Sequence, residues 1–277
     1  MRRTGAVVVA AGRGLRYAAG ENKAFAPVLG RPLLAYTLQG LERAGVGRYV
    51  VVVGEGEVRR CLEEAIRPFG LRPAAVVPGG ARRSDSVRAG LRALGRGEGL
   101  EVVLVHDGAR PLASPELWQR VAAAAFRSGA AIPVLPVSDT VKRVVAERVA
   151  ETVPRGSLFL AQTPQGFRAE LLWRAHGLLM NPAAAAAAPG RDSAAEGGPD
   201  ASDDAALVEA LGWPVTTVPG EPWNLKVTYP VDRFLVEAWI RGRSRAPEAA
   251  EDERATGRPE AGLHADDGAG RYGAGSG

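Results

Sequence analysis

The chain has 277 residues, 46% of them hydrophobic, enough for one large domain or two small ones with a sizeable core. Its net charge of +4 is uneven: seven acids and four arginines (net −3) lie in 245–277, so the remainder carries +7. That excess suits phosphorylated metabolites better than nucleic acid, because no basic helix occurs and aromatics make up only 6%; no run of 18 apolar residues offers a membrane span.

The Met1-Arg2-Arg3-Thr4-Gly5 start lacks the apolar stretch of a signal peptide, so no leader is expected. Short apolar runs at Ala6–Ala10, Tyr49–Val53, Ala74–Val77, Val102–Val105 and Ala130–Val134 alternate with helical patterns at Leu33–Ala44, Glu57–Arg67, Ser84–Leu94 and Pro115–Ser128. This predicts an α/β fold, Rossmann-like, with a mostly parallel sheet and helices on both faces. Ser114-Pro115 supplies an N-cap and a first-turn proline. Cys61 is the only cysteine, which predicts a structural thiol and a reducing cytoplasm. Over 138–160 the alternation stops. Val141–Val145 and Ser157–Leu160 read as strands of a projecting β-arm. Helices are predicted at Arg168–Leu179, Asp203–Leu211 and Val231–Arg241, with a strand at Val215–Val218. The alanine-rich stretch 182–201 reads as an insertion, and 243–277 as a disordered tail after a nucleotidyltransferase-type domain over 1–242.

In such sheets ligands bind beyond the carboxyl ends of the strands, and the polar motifs collect there. After the first strand comes Ala10-Ala11-Gly12-Arg13-Gly14-Leu15-Arg16, then Lys23. Glycines let backbone N–H groups approach phosphate, and two cations sit close by. The stretch is neither a P-loop nor the dinucleotide fingerprint. After the third strand come Gly79, Gly80, Arg82, Arg83 and Ser86, and after the fourth His106-Asp107-Gly108-Ala109-Arg110. Asp107, at the end of an apolar strand, suits Mg²⁺ held against a triphosphate. His106 reads as an orienting rather than an acid–base residue. The three histidines are too scattered for zinc.

Together these motifs, with Ser138-Asp139-Thr140-Val141-Lys142, Thr163-Pro164-Gln165-Gly166-Phe167 and Asn224-Leu225-Lys226-Val227-Thr228, resemble the 2-C-methyl-D-erythritol 4-phosphate cytidylyltransferase family. The resemblance spans Gly5 to Arg241. It implies transfer from CTP to that alcohol phosphate, with Mg²⁺, in the non-mevalonate isoprenoid pathway. Arg16, Lys23 and Lys226 are then the catalytic cations, with Lys226 on the nucleotide phosphates or the substrate side. Ala10, Ala11, Gly12, Gly14, Gly80, Ser86 and Ala109 line the nucleotide pocket, and Asp107 holds the metal. Arg110 supports the loop or faces the substrate, and Thr140 and Arg155 bind the substrate phosphate across a homodimer joined through the arm. The same loops fit a ribitol 5-phosphate or related polyol-phosphate enzyme, and more distantly a non-catalytic nucleotide-binding protein. Three departures stand out: Asn22 where the family usually has proline, which predicts a looser Lys23 loop; Arg82 where an acid is common; and Ser202-Asp203-Asp204 in place of Thr-Asp-Asp.

Overall fold

The valine-rich runs near the N-terminus are apolar at every position, so both of their faces must be covered. In the computed structural model, which describes residues 1, 3–12, 17, 22–96, 99–178 and 203–255 (side chains as far as 243), these runs form the centre of one sheet. β1 spans Thr4–Ala10; β2 (Pro27–Val28) and β3 (Arg31–Pro32) make a small separate ladder. β4 (Arg48–Val53), β5 (Ala75–Pro78) and β6 (Val102–Asp107) join β1 in parallel, in the order β5-β4-β1-β6. The register sets Val9 opposite Asp107, Ala10 opposite Val53 and Val53 opposite Pro78. The carboxyl ends of four strands therefore share one edge.

Beyond β6 the sheet becomes mixed. β7 is Ala130–Pro136, β8 Val141–Val145, β9 Arg148–Val153, β10 Phe159–Ala161, β11 Gln165–Arg168 and β12 Thr216–Pro219. β11 lies antiparallel between β6 and β7, while β10 and β12 pair with β7, antiparallel and parallel respectively.

Alternate residues of each central strand serve opposite faces. Ala6, Val8 and Val51 pack with α1 (Leu33–Arg43) and with the helical stretch that begins at α2 (Val58–Arg60). Val7, Val50 and Val52 pack with α3 (Arg83–Leu94). Gly90 permits that approach, since a Cβ there would lie 2.4 Å from Val7 Cγ1. α4 (Pro115–Ser128) covers the first face and α5 (Ala169–Ala175) the second. Ser114 caps α4 by accepting from Leu117 N at 3.0 Å. α6 (Asp204–Glu209) sends Val208 into the second cluster, and α7 (Pro230–Ala255) ends the described chain. Two units are distinguished, Met1–Glu237 with the whole sheet and a second from Ala238 onward.

The structure departs from the sequence reading in four places. The arm is the hairpin β8–β9, so its second strand is Arg148–Val153. The run expected to be that strand instead adds β10 to the main sheet. β11 was not anticipated: four residues, Gln165 to Arg168, carry too little pattern to be read alone. The helix expected at Glu57–Arg67 opens as α2, widens to π turns over Cys61–Ile66 and tightens to a 3-10 turn at Arg67–Phe69 before Gly70 in the left-handed region. Burial there pushes the Cys61 thiol up to about 12, as expected of an inert structural cysteine. Finally, α7 continues to Ala255, into the segment expected to be disordered. Gly14, Arg16 and the insertion 182–201 lie outside the described residues.

Candidate active site

The carboxyl edge of the sheet gathers charge around one buried carboxylate. Asp107 ends β6 with its side chain 11% exposed. Lys226 Nζ lies 2.8 Å from Asp107 Oδ2, Arg83 Nε 3.5 Å from Oδ1 and Arg110 Nε 3.8 Å from Oδ2. Burial alone would raise this carboxyl. The attraction of Lys226, then of Arg83 and Arg110, outweighs burial and holds it below the ordinary carboxylate range. Three cations around one anion leave the cluster net positive, a setting that favours polyanions.

Arg83 is itself clamped. Its Nη1 donates to Asp204 Oδ2 at 2.7 Å, and Asp204 Oδ1 lies 3.0 Å from His176 Nε2. The Asp204 and His176 side chains are 1% and 0% exposed. Gln165 Oε1 accepts from Asp204 N and Ala205 N, and Gln165 Nε2 donates to Asp203 Oδ2 at 2.7 Å. β11 therefore fixes the start of α6, α6 fixes Arg83, and Arg83 reaches Asp107.

A second set of bonds laces the loops on the other side. His106 is fully buried, and burial lowers its imidazole to about 4 against the opposing pull of its bond to the Arg110 carbonyl. The neutral ring then donates from Nε2 to Arg110 O and accepts at Nδ1 from the Thr163 hydroxyl, each at 3.0 Å, while Thr163 Oγ1 accepts from Asp107 N at 3.1 Å. This is an orienting histidine. Arg110 Nη1 donates to Asn224 O at 2.8 Å, Asn224 Nδ2 donates to Thr163 O at 2.8 Å, and Val227 N donates to Ala109 O at 2.9 Å. Gln162 Nε2 donates to Glu221 O, and Glu221 accepts from Ser114 N and from the Ser114 hydroxyl. Lys226 thus rides on a loop stitched to two neighbours.

The wall of glycine-bearing loops after β1 and β5 lies on the same sheet edge as this cluster. Ala10 is buried, Ala11 half-buried and Gly12 exposed, and a Cβ on Gly12 would meet no atom within 4 Å. At Gly79 a Cβ would lie 2.6 Å from both Ala11 Cβ and Ser86 Oγ, and at Gly80 it would lie 2.5 Å from Asp85 Cβ. Backbone is therefore pressed against the wall, as only glycine allows. The buried Ser86 hydroxyl accepts from Gly80 N and donates to Arg82 O, both at 3.2 Å, so it shapes that turn. Lys23 opens a 3-10 turn, Lys23–Phe25, capped by Asn22. The Lys23 turn is therefore tied down, contrary to the looser loop expected from Asn22.

Thr140 and Arg155 are exposed at the root of the arm, where Arg155 Nη1 donates to Ser138 O. Among the described residues no ion pair joins either of them to the Asp107 cluster. The reading from sequence gave no role to Arg83, Asp204, His176, Thr163 or Asn224. Arg83, Asp204, Thr163 and Asn224 stand inside quoted motifs and His176 does not, but Asp204 and His176 meet Arg83 only through folding.

The family of 2-C-methyl-D-erythritol 4-phosphate cytidylyltransferases, IspD, matches residues 4–242. The chain belongs to this family. An IspD relative from Frankia casuarinae, named 2-C-methyl-D-erythritol 4-phosphate cytidylyltransferase, is 42% identical over 253 residues, which is 91% of this chain and 86% of that one. The bifunctional enzyme IspD/IspF of Anaeromyxobacter sp. (strain Fw109-5) is 46% identical over 245 residues, 85% of this chain, and the match spans only 58% of that longer protein. The crystal structure of 2-C-methyl-D-erythritol 4-phosphate cytidylyltransferase from Thermus thermophilus superposes with a TM-score of 0.66 at 40% identity, over 87% of this chain and 100% of that chain.

Removing one partner of a buried ion pair strands the other. Asp204→Ala is expected to cost about 3 kcal/mol near pH 7, the low end of the usual range because Arg83 keeps Asp107. Burial raises the Asp204 carboxyl, but Arg83 and His176 more than offset that and hold it below its ordinary value. A depressed carboxyl stabilises the fold above the ordinary value of 3.8 and loses that contribution as pH falls through the folded value. Urea unfolding at stepped pH should therefore show the gap between wild type and Asp204→Ala narrowing below about pH 4.

Proposed function

We propose that this site joins CTP to 2-C-methyl-D-erythritol 4-phosphate and releases pyrophosphate. The observation that carries the reading is the Asp107–Lys226–Arg83–Arg110 cluster on the carboxyl edge of the sheet in a chain of the IspD family. An oxygen of the substrate phosphate attacks the α-phosphorus of CTP; the bond from that phosphorus to the β-phosphate oxygen breaks, and its electron pair leaves with pyrophosphate. A phosphate monoester is already anionic near neutral pH, so no general base is needed, in keeping with a buried His106 whose two ring nitrogens are both taken up by Arg110 O and Thr163 Oγ1. Charge neutralisation and positioning then do the catalysis, by Lys23 and Arg16 at the α-phosphorus and Lys226 on the phosphates.

Among the described residues no group of three or more His, Cys, Asp or Glu side chains forms a metal cage. One carboxylate at the strand end fits Mg²⁺ taken mainly by substrate phosphates, with Asp107 as the protein ligand. Bound there, Mg²⁺ supplies countercharge to the triphosphate. Ala10, Ala11, Gly12, Gly80 and Ala109 line the nucleotide side. The lone, buried Cys61 accords with a reducing cytoplasmic setting. Among the described residues no helix is long and apolar enough to cross a membrane.

Purified protein with CTP, Mg²⁺ and methylerythritol phosphate should release pyrophosphate. Release only with ribitol 5-phosphate, or none from any polyol phosphate, would overturn the reading.

The arm suits a second copy of the chain. Val144, Val145 and Val149 on β8 and β9 are 57–62% exposed, and Phe159 and Leu160 at the arm's base are also exposed. Apolar groups so placed favour contact with another protein surface. Thr140 and Arg155, exposed at the arm's root, would then reach the substrate phosphate of the neighbouring site. Sedimentation should give about twice the 29.0 kDa chain mass, and Val145→Asp should shift it toward the single chain. A wild-type protein that stays at the mass of one chain would remove this part of the proposal.

A further inference from the structure

Asn22 is a buried amide whose hydrogen bonds all serve the Lys23 turn. Its side chain has two N–H donors and one carbonyl acceptor. One N–H reaches Ala10 O at 2.7 Å and the other Glu57 Oε2 at 2.6 Å. The carbonyl oxygen accepts from Ala24 N at 3.0 Å. The first bond ties the turn to the carboxyl end of β1, where the glycine wall begins. The second ties it to the end of β4, because Glu57 Oε2 also accepts from Gly54 N at 2.8 Å. The approach is close: a Cβ on Gly54 would lie 2.5 Å from that oxygen, so a side chain there would push the Glu57 carboxylate away. Beside the turn, the Arg60 guanidinium lies 4.5 Å over the Phe25 ring.

Few side chains can fill this position. Aspartate would offer only acceptors and would set a second carboxylate against Glu57 and the Ala10 carbonyl. Serine could cap Ala24 but has one hydrogen for two acceptors. Alanine would leave the Ala10 carbonyl and the Ala24 N–H without their buried partner. The backbone of the turn that carries the half-buried Lys23 is thus tied by its neighbour to two different strand ends.

We propose that Asn22 is the positioning residue for Lys23, with Glu57 as its anchor, so that the ammonium is held in register with the nucleotide wall. This rests on the reading of Lys23 as the cation at the α-phosphorus. A misplacement of about 1 Å can cost on the order of a hundredfold in rate, so the effect should appear in kcat rather than in nucleotide affinity.

The test is a double-mutant cycle on the full chain with CTP and methylerythritol phosphate, reading kcat, KM for CTP and the thermal midpoint. Asn22→Ala should lower kcat by about 10- to 100-fold with KM for CTP changed less than about threefold. Glu57→Ala, which keeps the Asn22 cap but removes its anchor, should lower kcat in the same direction, and it serves if Asn22→Ala does not fold. Neither change should alter kcat by more than about twofold when made on top of Lys23→Met, because a residue that acts through Lys23 has nothing left to position. Losses that multiply in the Lys23→Met background, or a lowered thermal midpoint with kcat unchanged, would overturn the proposal. Wild-type turnover is the reference: its absence refutes the underlying reaction, whereas normal turnover with multiplying losses refutes the positioning role alone.

Discussion

One buried anion organises this molecule. Asp107 sits at the end of a strand with no polar residue before His106, and a carboxylate in that position would protonate if it were left without partners. Lys226, Arg83 and Arg110 prevent this, and they arrive from three different parts of the chain. Each then has to be held in turn: Arg83 by Asp204, Arg110 by the Asn224 carbonyl, and Lys226 by the loop stitched to Ala109 and Thr163. Much of the polar interior follows from that requirement.

The arrangement also sorts the cations by freedom. The Arg110 side chain is 12% exposed and Arg83 25%, whereas Lys226 is 40% exposed. Lys226 is the most exposed of the three cations, so its ammonium is the one within reach of a phosphate from solvent. Arg83 cannot leave without stranding Asp204, itself buried against His176. The two arginines fix the carboxylate and the lysine is the member able to turn to a ligand. After β5 the glycines bring backbone close to Ala11, and Asn22 ties down the turn that carries the second lysine.

The parallel half of the fold was legible because its strands are apolar throughout and alternate with amphipathic stretches, one of which opens on the readable cap Ser114-Pro115. The loops after β1, β5 and β6 were legible for the same reason: strand ends locate sites in this architecture. The mixed half was harder. β11 is short, and the run that closes as β10 has the same composition as a hairpin strand, so pattern alone put it in the arm. The Arg83–Asp204–His176 chain was invisible because its members lie far apart in the sequence and are joined only by packing. Asn22 was read as a missing proline; only the geometry shows an amide saturated with bonds.

The central claim is that Asp107 and its cations form the charge centre at which the metal-bound nucleotide is held. The direct measurement is calorimetric titration of CTP into wild type and Asp107→Ala, each with and without Mg²⁺. The account predicts that Mg²⁺ tightens CTP binding at least about tenfold in wild type and changes it little in the variant, since about 1.4 kcal/mol of metal-dependent affinity would pass through that carboxylate. Equal tightening by Mg²⁺ in both proteins would contradict it.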